Sequence, residues 1–403
     1  MRPFPNHPVA HVCSMGCVEN QLDGARMERF FQANGWRLTE RAAEADLVLV
    51  NSCGYTDALE QSSLDALEQL RRSLKPGAEL LLVGCLPAIH PEATDRGDGW
   101  KIIPRNLSAL NRLINAQIPI EEVEANTLPP DEEHRDRFRA AMIAFKRTVE
   151  MLDQVSPFPL PRGLRQFRYI YDDRAYYIKI SVGCLGRCSF CAVRRAKGKL
   201  LSRDPERVLK DLEEGLAQGY RDLVLSADEV GSYGRDKGTT LAALLREFLM
   251  RSGDYRIFLR NLDPEWLIAD LDNLIPLFKT GRFPYIVAPV QTGSPEVLRW
   301  MNRGYTLEQV EEAFARLRRE IPALILRTHF IVGFPGETEQ HFKETLEYAK
   351  RLKVDHFKVH EYSARPHTRA ALLPGQVPAD VIRTRARRLR KLGLMIYARR
   401  FFS

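Results

Sequence analysis

The chain has 403 residues, with 60 Lys and Arg against 52 Asp and Glu, and it contains seven cysteines. This length supports two or three domains with full hydrophobic cores, so disulfides are not needed for stability. The odd cysteine count argues against a disulfide framework, and no apolar run reaches the roughly 20 residues that span a bilayer. We therefore predict a cytoplasmic protein, without membrane association, whose thiols are buried, reactive or metal-bound. The net charge of +8 is compatible with a polyanionic partner but does not require one.

The first hundred residues alternate between predicted strands and helices. Short apolar runs at 8–13, 46–50 and 79–84 predict buried strands, and helical spacing of apolar residues at 21–35 and 57–73 predicts helices between them. Thr56 or Asp57 is expected to cap the second helix. Strands that alternate with helices indicate a parallel sheet, so this part is predicted to be a small α/β domain of the Rossmann or flavodoxin type.

The rest of the chain predicts a linker and a second, larger domain. A charged helical stretch at 131–152 precedes "SPFPLPRG" at 156–163, whose three prolines predict a linker and a domain boundary near residue 165. We therefore divide the chain into residues 1–165 and 166–403. Renewed alternation predicts an open or complete (β/α) barrel of the TIM type, with its chemistry at the carboxyl ends of the strands. The predicted strands are 175–181, 222–227, 256–262, 285–290, 324–333 and 356–363.

Three cysteines follow the first of these later strands directly. "KISVGCLGRCSFCAV" (179–193) places Cys184, Cys188 and Cys191 within eight positions. Three thiolates on one loop suit a [4Fe–4S] cluster in which one iron has no protein ligand and stays open to a substrate or cofactor. A structural zinc site requires four ligands, and no second cysteine pair lies near this loop.

Three further cysteines are far apart in sequence but equivalent in position. Cys17, Cys53 and Cys85 each follow a predicted strand of the N-terminal domain by a few residues. The carboxyl ends of parallel strands share one edge, so these thiols can converge and hold a second cluster. The alternative is three independent buried cysteines. Cys13 fits neither group and is expected to be a buried strand residue, with a sulfur-handling or redox role as the alternative.

Six ordered sequence blocks resemble those of the radical S-adenosylmethionine (SAM) methylthiotransferases, the MiaB/RimO type, over roughly residues 8–390. The blocks are "GCVENQLD", "VLVNSC", "KISVGCLGRCSFC", "PVQTGSPEVLRWMNRGYT", "FIVGFPGET" and "YSARPHTRAA". The resemblance implies insertion of a methylthio group at an unactivated carbon, with SAM and two [4Fe–4S] clusters as cofactors. Cys184, Cys188 and Cys191 would hold the cluster that cleaves SAM to a 5′-deoxyadenosyl radical, and Cys17, Cys53 and Cys85 an auxiliary cluster that carries the sulfur. It further implies a reductant such as flavodoxin or ferredoxin.

The same resemblance suggests contacts to SAM. Phe190 matches the aromatic residue before the third cysteine, and Gly333 with Ile331 lies in the strand that backs the adenine in this superfamily. Gln291 and Arg260 follow other barrel strands, where each is either a SAM contact or a hydrogen bond of the barrel rim. Asp228 is also expected to contact the cofactor. The family pattern has Gln-Asp at this point, where this chain has Ala227 and Asp228.

Two other departures bear on the substrate. "RRAKGK" at 194–199 adds four positive charges, which either neutralise an acidic substrate group or form a solvated loop. The segment at 383–400 has eight Arg or Lys and predicts a basic helix in place of the TRAM β-barrel that ends related chains. Without that barrel we expect a peptide, protein or small-molecule substrate rather than a nucleic acid. Three alternatives stay open: a tRNA methylthiotransferase without TRAM, radical chemistry without methylation, and an iron–sulfur module that senses redox state.

Overall fold

The computed structural model describes residues 4–5, 7–95, 100–128, 145–146, 148–149, 151–152, 164 and 175–401. The predicted linker at 156–163, the boundary near 165 and most of the predicted charged helix at 131–152 lie outside these residues. The division into 1–165 and 166–403 therefore stays a prediction. Among the described residues, no helix combines the length and apolarity needed to cross a membrane.

The N-terminal part is a five-stranded parallel sheet in the order β2-β1-β3-β4-β5, as predicted. Its core contains Phe30, Phe31 and Trp36, packed against the sheet. The Thr56 hydroxyl accepts a hydrogen bond from the Leu59 N–H, which confirms the predicted helix cap. The strands are β1 (Val9–Ser14), β2 (Arg37–Leu38), β3 (Leu47–Ser52), β4 (Glu79–Gly84) and β5 (Trp100–Ile102), and the helices are α1 (Val18–Ala33), α2 (Asp57–Ser73), α3 (Leu86–Ile89), α4 (Pro91–Thr94) and α5 (Ala109–Leu113).

The second sheet has six parallel strands in the order β13-β12-β11-β10-β9-β6, and within the described residues its two edge strands do not pair. The predicted barrel is therefore of the open kind. A short antiparallel pair, β7 and β8, lies beside it. The strands are β6 (Ala175–Lys179), β7 (Ser181–Val182), β8 (Leu201–Ser202), β9 (Asp222–Ser226), β10 (Arg256–Leu259), β11 (Tyr285–Val287), β12 (Ile325–Val332) and β13 (His356–Glu361).

Helices cover the outer face of this sheet, and a long C-terminal helix packs beside its β13 edge. The last of them confirms the predicted basic helix; its Arg385 is buried and pairs with Glu337 at 2.8 Å. The helices are α6 (Val193–Lys197), α7 (Pro205–Ala217), α8 (Leu241–Leu249), α9 (Pro264–Ala269), α10 (Leu271–Phe278), α11 (Pro295–Trp300), α12 (Leu307–Glu320), α13 (Glu339–Arg351) and α14 (Ala379–Phe401).

The barrel interior has its own apolar cluster, and the N-terminal domain contributes to it. Tyr177, Phe258 and Tyr285 from three barrel strands pack there with Leu22 of α1. Because side chains alternate along a strand, the residues that follow these at every second position also face the interior. The contact with Leu22 places α1, and the cysteine before it, at the mouth of the barrel.

Candidate functional site

Cys17, Cys53 and Cys85 meet at the carboxyl edge of the N-terminal sheet, as the strand pattern predicted. They follow β1, β3 and β4, which are adjacent in the sheet. Gly16 has a φ of +93°, and a Cβ there would lie 2.4 Å from the Cys53 Cβ and 2.6 Å from its Sγ. Glycine is therefore required for the chain to pass over Cys53, because any larger residue would displace the thiol.

Hydrogen bonds between the strand ends fix these three cysteines. The Asn20 side-chain amide donates to the backbone oxygens of Met15 at 2.7 Å and Asn51 at 3.0 Å, while the Asn51 amide donates to the Asn20 oxygen at 2.6 Å. The Cys53 N–H donates to the Ser63 hydroxyl at 3.0 Å. Asn20 and Asn51 belong to the blocks "GCVENQLD" and "VLVNSC". Their positions in these blocks could have identified them as functional residues, but only the cysteines were assigned a role from the sequence.

The second set of thiols lies on the loop between β7 and β8. Gly183 has a φ of +79°, and its N–H donates to the Asp228 carboxylate at 2.8 Å. The Gly186 N–H donates to the Cys184 Sγ at 3.1 Å, so the loop folds around its own sulfur. A Cβ at Gly186 would stand 3.1 Å from that sulfur and 3.7 Å from the Cys188 Sγ.

Burial keeps most of these thiols neutral unless a cation is bound. Burial raises the pKa of Cys85, Cys184 and Cys191 to about 12, and it also raises the pKa of Cys17. A metal centre would supply the positive charge that lets buried thiols ionise and bind.

A buried arginine touches the loop set. The Arg303 guanidinium donates to the Cys188 Sγ at 2.9 Å and pairs with Asp263 at 2.7 Å, with only 5% of its side chain exposed. Arg303 lies in the block "PVQTGSPEVLRWMNRGYT", but no sequence argument assigned it a role. A hydrogen bond from this cation lowers the electron-donating strength of the Cys188 sulfur.

A buried lysine lies between the two sets. Lys197 on α6 is 3.4 Å from Asp228 and 3.8 Å from Asp23, and 4% of its side chain is exposed. Burial alone would lower the pKa of Lys197, but these two carboxylates raise it well above its usual value. Its positive charge acts on Cys85 and on Cys17. The predicted alternatives for "RRAKGK" were a substrate contact or a solvated loop, and the burial of Lys197 fits neither.

The two arginines before Lys197 bind backbone oxygens, with Arg194 half-buried and Arg195 exposed. The Arg194 guanidinium donates to the Gly186 oxygen at 3.3 Å, and that of Arg195 to the Ala88 oxygen at 2.7 Å. Both arginines therefore brace α6 against the cysteine loop and against α3. Lys197 and these two arginines are therefore engaged within the protein, whereas Lys199 is exposed.

The two sets of thiols face each other across one seam. Helix α6 packs on α3, and Ala192 and Ala196 contact Ile89 there with Cys85 at the margin. The charge of Asp228 acts on both Cys85 and Cys191. Tyr55 lies beside this seam, near Cys17, Cys53 and Cys191, and 55% of its surface is exposed.

The donor atoms suit clusters better than single ions. In the described part of the chain, no group of three or more His, Cys, Asp or Glu is placed to hold one metal ion. In a four-iron cluster each thiolate binds a different iron. Three thiols that hold a cluster are therefore farther apart than three thiols that bind one metal ion. Each set offers three thiols and no carboxylate, which is the donor chemistry of iron–sulfur sites.

The predicted SAM contacts occupy different positions around the mouth. Phe190 and Ile331 share one apolar cluster with Phe334. Gln291 has a φ of +76°, which is unusual for a residue other than glycine, and its backbone pairs with both His329 and Ile331. Arg260 follows β10 on the interior side of the barrel.

Two of these residues have structural partners that the sequence argument did not foresee. Gly333 has a φ of +80°, but a Cβ there would meet Ile382 of α14 at 2.4 Å. Packing of the C-terminal helix is therefore a sufficient reason for this glycine, apart from any approach of adenine. Asp228 is occupied by the Gly183 N–H and by Lys197, so it braces the cysteine loop. Cys13 lies within β1, opposite Val50 of β3, as predicted, but it is half-buried rather than buried.

Comparisons with known proteins place the chain among enzymes of one kind. The model of the radical SAM superfamily matches residues 178–349, and that of an uncharacterized protein family, UPF0004, matches residues 10–101. A probable threonylcarbamoyladenosine tRNA methylthiotransferase of Pyrococcus horikoshii is 33% identical over 96% of this chain and 84% of its own length. A ribosomal protein uS12 methylthiotransferase RimO of Acidithiobacillus ferrooxidans is 30% identical over 93% and 79%.

Solved structures support the fold. The radical SAM methyltransferase TsrM from Kitasatospora setae matches with a TM-score of 0.59 at 18% identity, over 90% of this chain and 74% of that one. The cobalamin-dependent SAM radical enzyme OxsB matches with a TM-score of 0.54 at 15% identity, over 96% and 56%. At these identities the likeness concerns the arrangement of the two sheets and not the reaction.

Proposed function

Because the chain belongs to the radical SAM methylthiotransferases, we propose that it uses two [4Fe–4S] clusters to insert a methylthio group into a threonylcarbamoyladenosine of tRNA. The family transfers methylthio groups and uses SAM with a [4Fe–4S] cluster, as the sequence blocks predicted. The number of clusters, their ligands and the substrate are the parts that we propose. We place the reaction in the cytoplasm, with a flavodoxin or ferredoxin as the electron donor.

The meeting of two three-thiol sets at one seam carries this proposal. We assign Cys184, Cys188 and Cys191 to the cluster that binds SAM, and Cys17, Cys53 and Cys85 to the auxiliary cluster. Bound there, the clusters would supply one-electron cleavage of SAM and a site for sulfur. The chain's own residues hold the two sets in fixed relation, because α6 packs on α3 and Lys197 reaches carboxylates on both sides.

The choice of tRNA replaces the sequence-based preference for a peptide, protein or small molecule. The relatives named for threonylcarbamoyladenosine tRNA reach 33% identity over nearly the whole chain. Helix α14 also presents exposed Arg383, Arg387 and Lys391 on its surface. Such cations bind phosphates without reading sequence, which is the usual source of non-specific RNA affinity. The second candidate is a ribosomal protein, favoured by the relatives named for uS12.

Iron analysis and product analysis test the assignment together. After anaerobic reconstitution we expect about eight irons per chain, and about four in a Cys17→Ala, Cys53→Ala, Cys85→Ala variant. That variant should still cleave SAM with a strong reductant but form no methylthio product. The corresponding variant of the loop set should lose SAM cleavage as well. Cys13→Ala is the matched control and should keep the full iron content.

The products separate the candidate functions. Mass spectrometry of nucleosides from threonylcarbamoyl-bearing tRNA should show the methylthio increment after turnover. A methylthio group on a ribosomal protein instead would replace the tRNA proposal by the second candidate. Sulfur insertion without the methyl group would favour the radical reaction without methylation. If SAM stays intact at full iron loading, the proposed enzymatic function is wrong and the redox-sensing module is the remaining candidate.

A further inference from the structure

The interior of the barrel is divided into two unlike halves. On one side α1 covers β6 and β9, and its acids meet the polar side chains of those strands. Asp23 pairs with Lys179, and the Glu19 carboxylate accepts a hydrogen bond from the Ser226 hydroxyl at 2.6 Å. Burial opposes ionisation of Asp23, but Lys179 and Lys197 outweigh it and hold its pKa below the usual range. On this half of the barrel interior the acidic side chains of α1 are therefore paired with basic or polar side chains of the protein itself.

The other half is formed by β12 and β13 and is basic. Ile325 at the start of β12 belongs to the interior cluster, so Arg327 and His329 at alternate positions face the interior as well. In the parallel register His329 lies beside Lys358, and Ile331 beside His360, so both β13 residues share this face. The rings of His329 and His360 are 5.0 Å apart.

Within the described residues, Lys358, His329 and His360 have no acidic partner. Their side chains take part in no ion pair, and they donate no hydrogen bond to a carboxylate, although Lys358 remains exposed to solvent. Burial, then Arg260 and Arg327, lower the pKa of Lys358, and burial with His360, Lys358 and Arg260 lowers the pKa of His329 to about 3. The Lys358 ammonium, which solvent reaches, and the half-buried imidazoles of His329 and His360 are thus gathered on one face of the barrel interior.

SAM itself does not supply the missing negative charge at this position. The cysteine loop lies close to the end of β12, because its Phe190 shares an apolar cluster with Ile331. An open iron held by that loop would bind the amino-acid carboxylate of SAM, and the adenosyl part of SAM carries no negative charge. An anion on the β12 and β13 face must therefore come from another molecule.

We propose that the face formed by Lys358, His329 and His360 binds a carboxylate of the substrate. The inference rests on the proposed tRNA substrate, because a threonylcarbamoyl group keeps the free carboxylate of threonine. In the tRNA, that carboxylate is attached to the outer edge of the nucleobase, whereas the phosphates belong to the ribose–phosphate backbone. This face of the barrel interior can thus contact the side group of an inserted base, while the phosphates contact the protein surface.

Lys358→Met tests the subsite, since methionine keeps the length of the side chain and removes its charge. Dissociation constants are measured for the reconstituted enzyme with two tRNAs that differ only in the threonylcarbamoyl group. We expect the wild type to prefer the modified tRNA by about tenfold or more, and the variant to lose that preference while binding unmodified tRNA unchanged. Lys343→Met, an exposed lysine on α13, is the matched control and should keep the preference.

A small probe separates this subsite from the choice of tRNA. N-carbamoylthreonine and its methyl ester are titrated calorimetrically into the same holoenzymes. Binding of the acid but not the ester by the wild type, with loss in Lys358→Met, supports the carboxylate subsite even where tRNA is not methylthiolated. Equal weakening toward both tRNAs would instead identify Lys358 as a phosphate contact. An unchanged tRNA preference, or no difference between acid and ester, would also overturn the inference.

Discussion

The two thiol sets are built in opposite ways. Cys184, Cys188 and Cys191 lie within eight consecutive positions, and their loop is held by the antiparallel pair β7 and β8 and by a backbone hydrogen bond to the Cys184 sulfur. Cys17, Cys53 and Cys85 are separated by more than thirty residues each and are brought together only by the register of β1, β3 and β4. The loop set depends on local geometry, and the strand-end set depends on the whole N-terminal sheet.

The buried cations follow the same division. Arg303 hydrogen-bonds directly to Cys188 of the loop set. Lys197 touches no cysteine by hydrogen bond, and its charge reaches Cys85 and Cys17 through space while carboxylates fix it. Direct contact makes Arg303 specific for one thiol, whereas Lys197 belongs to the seam between both sets.

Replacing the glycine beside each thiol set should give the largest difference in iron content between the two sets. Gly16→Ala forces a residue into a left-handed conformation and pushes a Cβ into Cys53, and the backbone strain alone costs about 1–3 kcal/mol. We expect this variant to lose about half of its iron while SAM cleavage continues. Gly186→Ala is the counterpart in the loop, where the nearest sulfur is 3.1 Å away, and it should keep most of its iron. Equal losses in both variants would contradict the division between local and remote sets.

Removal of the arginine should affect the loop set next. Arg303→Met leaves Asp263 buried without its cation, which typically costs about 3–5 kcal/mol, and removes a donor from Cys188. We expect a lower melting temperature and a lower midpoint potential for the loop cluster, followed by electron paramagnetic resonance during a redox titration. Arg303→Lys keeps the charge and should restore most of the potential but less of the stability. A potential unchanged in both variants would show that the hydrogen bond to sulfur has no electronic effect.

Sequence reasoning found the cysteines but missed what lies between them. The strands were predictable because each is a short apolar run, and three thiols that follow such runs share an edge in any parallel sheet. The role of Lys197 was not predictable, because its burial depends on α6 from one sheet packing against α3 from the other. For Gly333 the sequence predicted a contact with SAM from a single block. In the fold, Gly333 packs against Ile382 of α14, some fifty residues further along the chain, which the sequence did not predict.

Lys197→Met should produce the smallest and most selective change in redox potential. Loss of a positive charge near Cys85 and Cys17 makes reduction of the auxiliary cluster harder, by about 1–2 kcal/mol for a charge acting across the seam, which is on the order of 50–100 mV. A redox titration followed by electron paramagnetic resonance should show this shift in the auxiliary signal, with less change in the loop signal. Lys197→Arg keeps the charge and should return the potential toward that of the wild type. A shift confined to the loop cluster would mean that Lys197 acts through Asp228, which binds the Gly183 N–H, and not through the strand-end set.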